Sequence, residues 1–146
     1  MFAVLIARTA TETPVQRWFV IFFGATAAAS LAGGTVHGFF PDSRVLWRFV
    51  LIALGLVSAA AWAVGARLLF SERIPWFVTI AALVQFAGYS VVVVFVTDAF
   101  WVAIANYLPS TLFLIVAFST SYRSGAGTPV AIGLYVASQV EGPVTG

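Results

Sequence analysis

Residues 74–96 read IPWFVTIAALVQFAGYSVVVVFV and contain no Asp, Glu, Lys or Arg. An α-helix rises about 1.5 Å per residue, so roughly 20 apolar residues cross the ~30 Å hydrocarbon core of a bilayer. This stretch is long enough, and Pro75 stands in its opening turn, where the missing N–H of proline costs nothing. The sequence therefore predicts a membrane-spanning helix over 74–96.

Three further stretches satisfy the same requirement, at about 16–40, 44–70 and 99–122. Ser43 and Asp98 precede two of them and carry side chains that commonly cap helix N-termini. The predicted fold class is therefore all-α, a polytopic transmembrane helix bundle with four full spans. An interfacial belt of tryptophans is typical of such bundles, and four tryptophans lie in the first turns of the spans: Trp18, Trp47, Trp76 and Trp101.

The composition of the chain agrees with this fold class. Of the 146 residues, 62% are hydrophobic and 8% are charged, and the mean hydropathy is +1.04. Soluble domains carry about 25% charged residues, so this chain has too little polar surface for water, whereas lipid solvates apolar side chains. The absence of Cys excludes disulfides and thiolate metal sites. The few basic residues stand singly in loops, which argues against a nucleic-acid partner.

Two shorter apolar stretches, about 2–8 and 128–140, lie near the ends of the chain. Neither is long enough to span a bilayer. They are predicted to be partial helices, either clipped from longer helices or lying at the membrane interface. The whole chain, 1–146, is predicted to form one transmembrane helical domain.

The arginines predict the orientation of the bundle. Cytoplasmic loops are enriched in basic residues, and the side predicted to be cytoplasmic holds five: Arg8, Arg17, Arg67, Arg73 and Arg123. Only Arg44 and Arg48 fall on the other side, so loops 41–44 and 97–99 are predicted to lie outside. Every basic residue is Arg and none is Lys, a usage typical of GC-rich bacterial genomes. The predicted location is therefore a bacterial inner membrane.

Polar side chains inside a membrane are costly, and each is a candidate site. His37, Asp98 and Asn106 are predicted to converge near the outer surface, with Asp42 close to His37 across a tight turn. His37, the only His, can ligate a metal such as zinc, or it can be the axial ligand of a haem or another pigment. It can equally bond to a neighbouring helix or to water, and both interpretations stay open.

The two carboxylates also have two interpretations each. Asp42 and Asp98 are candidate catalytic groups, but Asp42 follows Pro41 in a turn and Asp98 stands at a cap position. Gln85 and Asn106, two polar residues inside spans, are each expected to hydrogen-bond across helices. Pro109 removes a backbone hydrogen bond and is predicted to kink the fourth span.

Small residues predict helix-packing faces, because they let helix backbones approach closely in lipid. One group surrounds His37 and leaves room for a helix or a flat ring: Gly33, Gly34 and Gly38. Two further rows lie in the second span: Gly55, Ala59 and Ala63, and Ala61 with Gly65.

The segments 33–42 (GGTVHGFFPD) and 106–109 (NYLP) resemble a family of uncharacterised bacterial seven-helix membrane proteins. That family is itself similar to the superfamily of alkaline ceramidases and progestin/adiponectin receptors. The resemblance covers about 17–122. It implies a seven-helix bundle whose first helix ends near Arg8 and whose sixth begins near Thr128.

In that superfamily, a His late in the second helix joins two His residues of the last helix to hold zinc. Only His37 maps well onto this pattern, and the last helix with its His pair is absent from the sequence. Ser30 and Asp42 correspond to the superfamily's Ser and Asp only with altered spacing.

Two functions compete on these grounds. The first is a non-catalytic accessory or assembly subunit of a larger respiratory or photosynthetic membrane complex, packing against partner helices, lipids or pigments and requiring no cofactor. The alternative, implied by the resemblance, is a zinc-dependent membrane lipid hydrolase with His37 as a metal ligand and Asp42 or Asp98 as the base. A transporter is disfavoured because no repeated halves with broken helices are visible. The sequence favours the subunit.

Overall fold

The computed structural model describes residues 14–70 and 73–123, apart from the side chain of Arg123. It contains four helices, which are α1 (Pro14–Phe39), α2 (Arg44–Leu69), α3 (Ile74–Val91) and α4 (Phe100–Arg123). The π-helical segment Val92–Val96 continues α3, and no strand occurs within this part of the chain.

All four helices are long and apolar enough to cross a membrane, when α3 is taken with its π-helical continuation. Their bounds lie close to those predicted, so the all-α transmembrane bundle is confirmed. The predicted partial helices at 2–8 and 128–140 fall outside the described residues. The chain is therefore an integral membrane protein with at least four spanning helices.

Local sequence accounts for where the helices begin. The hydroxyl of Ser43 accepts a hydrogen bond from the N–H of Leu46 at 3.5 Å and caps α2, and Pro75 occupies the first turn of α3. Helix α4 begins one residue later than predicted, at Phe100. Asp98 consequently lies outside the cap position, and its carboxylate is engaged by arginines instead.

Helix α2 is the centre of the bundle. It packs against α1, α3 and α4, and 72% of its most apolar window is buried, against 22–28% for the other three helices. Both predicted rows of small residues on α2 are buried, which confirms their packing role. The other three helices pack mainly against α2, and most of their surface is not buried.

Two apolar clusters hold the helices together. The cluster nearer Pro14 joins α1, α2 and α4 and contains Phe22, Val64 and Leu114 among its members. The other joins α2, α3 and α4 through Leu51, Tyr89, Val93 and Ala103. Because lipid is as apolar as these side chains, the stabilisation comes from close packing more than from the removal of apolar surface from water.

Two glycines of α2 set how closely its neighbours approach. The ring of Tyr89 on α3 lies against Gly55, and the ring of Phe113 on α4 lies against Gly65. A Cβ at Gly55 would stand 2.5 Å from Tyr89 Cε1, and a Cβ at Gly65 would stand 2.7 Å from Phe113 Cε1. The absence of a side chain at both positions therefore allows the aromatic rings to pack onto the α2 backbone.

Candidate functional site

Five polar or aromatic side chains meet at the end of the bundle that holds loops 40–43 and 97–99, here called the rim end. This rim cluster contains His37, Arg44, Trp47, Arg48 and Asp98. Asp98 Oδ2 lies 3.5 Å from Nε of Arg48 and 3.9 Å from Nε of Arg44. The two arginines are four residues apart on α2, so one helix face directs both toward the same carboxylate.

Trp47 connects the rest of the rim cluster. Its indole N–H donates to the backbone carbonyl of Asp98 at 2.8 Å. Its ring centroid lies 6.1 Å from that of His37, edge to face, and 5.9 Å from that of Phe100. Trp47 thus fixes the loop before α4 and contacts the last turn of α1.

The predicted outer pocket is formed only in part. His37 and Asp98 both contact Trp47, whereas Asp42 is exposed in its turn and Asn106 lies deeper, on α4. Among the residues that the structure describes, no three His, Asp or Glu side chains come close enough together to hold a metal ion. The main interaction in the rim cluster is the ion pairing of Asp98 with Arg44 and Arg48.

We expect Asp98→Asn to lower the free energy of unfolding by about 1 kcal/mol, the upper end for partly exposed ion pairs. Arg48 should account for most of this loss, because its side chain is 38% exposed and its Nε is buried, whereas the Arg44 side chain is 80% exposed. Double-mutant cycles of Asp98→Asn with Arg48→Gln and with Arg44→Gln measure the two couplings. A larger coupling to Arg44 than to Arg48 would contradict this geometry.

A second polar site lies at the midpoint of the span Ile74–Val96. Gln85 Nε2 donates to Asn106 Oδ1 at 2.8 Å, joining α3 to α4 on the exposed surface of the bundle. The backbone carbonyl of Asn106 accepts a hydrogen bond from the buried hydroxyl of Ser58 at 2.9 Å. Asn106 thus joins α4 to α2 and α3.

Within the part of the chain that the structure describes, this pair leaves polar groups without partners at mid-span. A side-chain amide carries two N–H donors and a carbonyl acceptor. Within the described part of the chain, the only side-chain hydrogen bond of Gln85 or Asn106 is the one that joins them. The Asn106 N–H groups thus have no partner among the described residues, and an unpaired group of this kind costs several kcal/mol wherever it faces hydrocarbon.

The other predicted packing and kink residues lie on open surfaces. No heavy atom comes within 4 Å of a Cβ placed at Gly33, Gly34 or Gly38 over the described residues. Pro109 is exposed on α4, and the buried hydroxyl of Ser110 beside it donates to the carbonyl of Tyr107 at 2.7 Å.

The comparison with known families decides where the chain belongs. Residues 1–139 match a family described as a family of unknown function (DUF6962). The chain is a member of this family. No match is found among curated proteins or among solved structures. Any function of this DUF6962 protein must therefore be argued from its own polar sites.

The sequence reasoning missed a third polar site in this DUF6962 protein, at the end of the bundle opposite the rim. Nη1 of Arg67 donates to the carbonyl of Ala63 at 2.8 Å and to Oγ1 of Thr79 at 2.7 Å. The guanidinium carbon lies 5.6 Å from the centre of the Trp18 ring. Arg67 therefore joins α1, α2 and α3, although the sequence presented it only as a loop charge.

A sequence signal for two of the three sites was present but was read differently. Arg44 and Arg48 are spaced one helical turn apart, as two residues contacting one partner would be. Gln85 and Asn106 were each identified as polar groups inside spans. Nothing in the sequence said that they would pair with each other, because Gln85 and Asn106 lie on different helices.

Proposed function

We propose that this protein is a non-catalytic subunit of a larger membrane complex and that it binds a partner helix across the exposed face of α3 and α4. The observation that carries the proposal is the Gln85–Asn106 pair, which lies on the outer surface at mid-span and has N–H groups with no partner among the described residues. The occupant is a transmembrane helix that offers a polar side chain, such as Ser, Thr, Asn or Gln, at the same depth.

The energetics favour a protein partner over lipid on this face. Hydrocarbon offers no acceptor to an amide N–H, whereas a polar side chain on an adjacent helix does, and such bonds contribute roughly 0.6–2 kcal/mol each in bilayers. The outward-facing surfaces of α3 and α4 are largely apolar and carry large side chains, with Val84 67% exposed and Leu108 52% exposed. A partner helix can therefore pack against this face as well as bond to it.

The rest of the surface fits the same function. The small-residue face of α1 around Gly34 has no neighbour among the described residues, and it offers a second position for close helix contact. We place the rim end outside a bacterial inner membrane and the Arg67 end in the cytoplasm. The charge distribution supports this orientation, because Asp98 offsets the rim arginines while no carboxylate of the described residues pairs with Arg67.

Photo-cross-linking in native membranes tests the proposal. A photoreactive residue at Val84, beside Gln85, should form an adduct with one distinct membrane polypeptide. The double variant Gln85→Leu/Asn106→Leu should lower the adduct yield about tenfold, since the lost hydrogen bonds are worth about one factor of ten in affinity. Replacing both amides together leaves no unpaired group behind, so the subunit itself should remain folded.

Ser119→Leu is the matched control, because Ser119 is an exposed polar residue on α4 that lies near the end of the helix, far from mid-span. It should leave the adduct yield unchanged. Undiminished adducts in the double variant would overturn the proposal, and so would adducts formed only with lipid or only with a second copy of this chain. The partner, once identified, must contain a transmembrane helix with a polar residue at mid-span.

The alternative of a zinc-dependent lipid hydrolase, similar to alkaline ceramidases, draws on one contact. His37 and the backbone carbonyl of Asp98 both contact Trp47 at the rim end, so a candidate metal ligand lies near the loop that carries this carboxylate. His37 supplies one ligand, and a catalytic zinc site takes about three from the protein. The remaining amide N–H groups of Gln85 and Asn106, which have no partner among the described residues, play no part in that reaction, and the subunit proposal is preferred because it explains them.

A further inference from the structure

A cavity of about 300 Å³ lies at the end of the bundle opposite the rim, next to Arg67. Its walls come from the starts of α1 and α3 and from the end of α2, and it is open on one side. Among the described residues that line the cavity, Arg67 is the only charged one, and the others are apolar or aromatic: Pro14, Val15, Phe70, Pro75 and Trp76.

The guanidinium of Arg67 is held in place before any ligand binds. Nη1 donates to Ala63 and Thr79, and the Thr79 hydroxyl in turn donates to the carbonyl of Pro75 at 2.7 Å. The ring of Trp18 covers the guanidinium from α1. These contacts leave Nε and Nη2 without a hydrogen bond among the described residues, so two further donor groups remain for a ligand.

The charge of Arg67 has no counter-ion in the part of the chain that the structure describes. Asp98 pairs with Arg44 and Arg48 at the opposite end, and the exposed Arg73 at the start of α3 adds a second positive charge near the cavity. An arginine near the membrane surface is attracted to anionic lipids by about 1 kcal/mol. Basic pockets between membrane helices characteristically bind anionic lipid headgroups.

We propose that this cavity binds the phosphate of an anionic phospholipid. The free donors of Arg67 bond to the phosphate oxygens, for which a planar guanidinium has suitable geometry. The acyl chains lie against the apolar walls, where Trp76 is 60% exposed and Phe70 is 40% exposed. Free phosphate would meet the guanidinium alone and gain nothing from these walls. The proposal is independent of the partner helix on α3 and α4.

Native mass spectrometry of the detergent-purified full chain tests the site, with phosphatidylglycerol and phosphatidylcholine as the two lipid probes. The wild-type protein should retain phosphatidylglycerol in preference to phosphatidylcholine. Arg67→Gln should weaken phosphatidylglycerol binding about tenfold, as expected for loss of a charge-assisted contact. Arg44→Gln, which removes an exposed charge at the rim, is the matched control and should leave binding unchanged.

Thr79→Val keeps the charge of Arg67 but removes one of the groups that orient it, and it should weaken phosphatidylglycerol binding by a smaller factor than Arg67→Gln. This variant decides the question if Arg67→Gln fails to fold. Inorganic phosphate at millimolar concentration should not displace the lipid. Equal retention of the two lipids, equal loss in the Arg44 and Arg67 variants, unchanged binding by Thr79→Val, or displacement by free phosphate would each overturn the proposal.

Discussion

Gly55→Ala is expected to destabilise the bundle by about 1–3 kcal/mol, the usual cost of adding a methyl group to a filled interior. The new Cβ would lie 2.5 Å from Tyr89 Cε1 and 3.2 Å from Phe86 Cδ2. Tyr89 cannot move aside freely, because its hydroxyl donates to the carbonyl of Leu51 at 3.0 Å and its ring is buried. Either this hydrogen bond breaks or α3 moves away from α2.

Gly65→Ala should have an effect of the same kind on the other side of α2. The ring of Phe113 lies between Gly65 and Trp62, whose ring centroid is 4.6 Å away, so the ring has little room to shift. Gly88→Ala is the matched control, since Gly88 is also helical but has no atom within 4 Å of the added Cβ. Unfolding in mixed micelles measures all three variants. A Gly88 variant as destabilised as the Gly55 variant would contradict the packing.

Leu114→Ala is expected to cost about 2 kcal/mol. Leu114 is 1% exposed and lies in the cluster that joins α1, α2 and α4. In soluble proteins a Leu→Ala change in the core costs about 2–5 kcal/mol, part of it the transfer of Leu from water and part the cavity left behind. In a bilayer the transfer part largely disappears because lipid replaces water. The cost of the cavity remains, so the expected loss of stability lies near the lower limit of the range for soluble proteins.

Leu112→Ala, two residues earlier on α4, provides the control. Leu112 is 55% exposed and faces away from the core, so its truncation leaves no cavity and should change the free energy of unfolding by less than about 0.5 kcal/mol. The same unfolding experiment compares the two leucine variants directly. Similar losses for both would mean that the surface assigned to lipid is in fact packed.

The four spans could be predicted because their information is local. Each is an uninterrupted apolar run of sufficient length, and Ser43 and Pro75 mark two of the helix starts in the sequence itself. The cap assigned to Asp98 was not observed, because the carboxylate has two arginine partners on another helix and helix α4 starts later. A local preference was outweighed by a contact between elements.

The central position of α2 could not be predicted from hydropathy. The most apolar windows of α2 and α3 have mean hydropathies of 2.2 and 2.1, yet 72% of one and 22% of the other is buried. The small residues of α2 carried the better signal, and those around Gly55 and Gly65 do contact neighbours. The glycines around His37 looked equally suitable and meet nothing in the described part. A small residue shows where a neighbour can approach, but it does not specify the neighbour.

The polar sites could not be predicted, because each depends on which side chains of different helices come into contact. Gln85 was expected to bond across helices, but its partner and its exposed position follow from how α3 and α4 are rotated about their axes. Arg67 was counted as a charge that orients the chain, and its contacts with Thr79 and Trp18 bring three helices together. Both proposals made for this protein rest on such contacts.

Site-specific labelling of single cysteines tests the transmembrane bundle most directly, because the natural chain contains no cysteine. Cysteines at Asp42 and Thr97 should react with a charged, membrane-impermeant maleimide added to one side of the membrane, and a cysteine at Arg73 should react only from the other side. A cysteine at Leu112, within the span of α4, should stay unlabelled. Reaction of Asp42 and Arg73 variants from the same side, or ready labelling at Leu112, would contradict the four-span bundle.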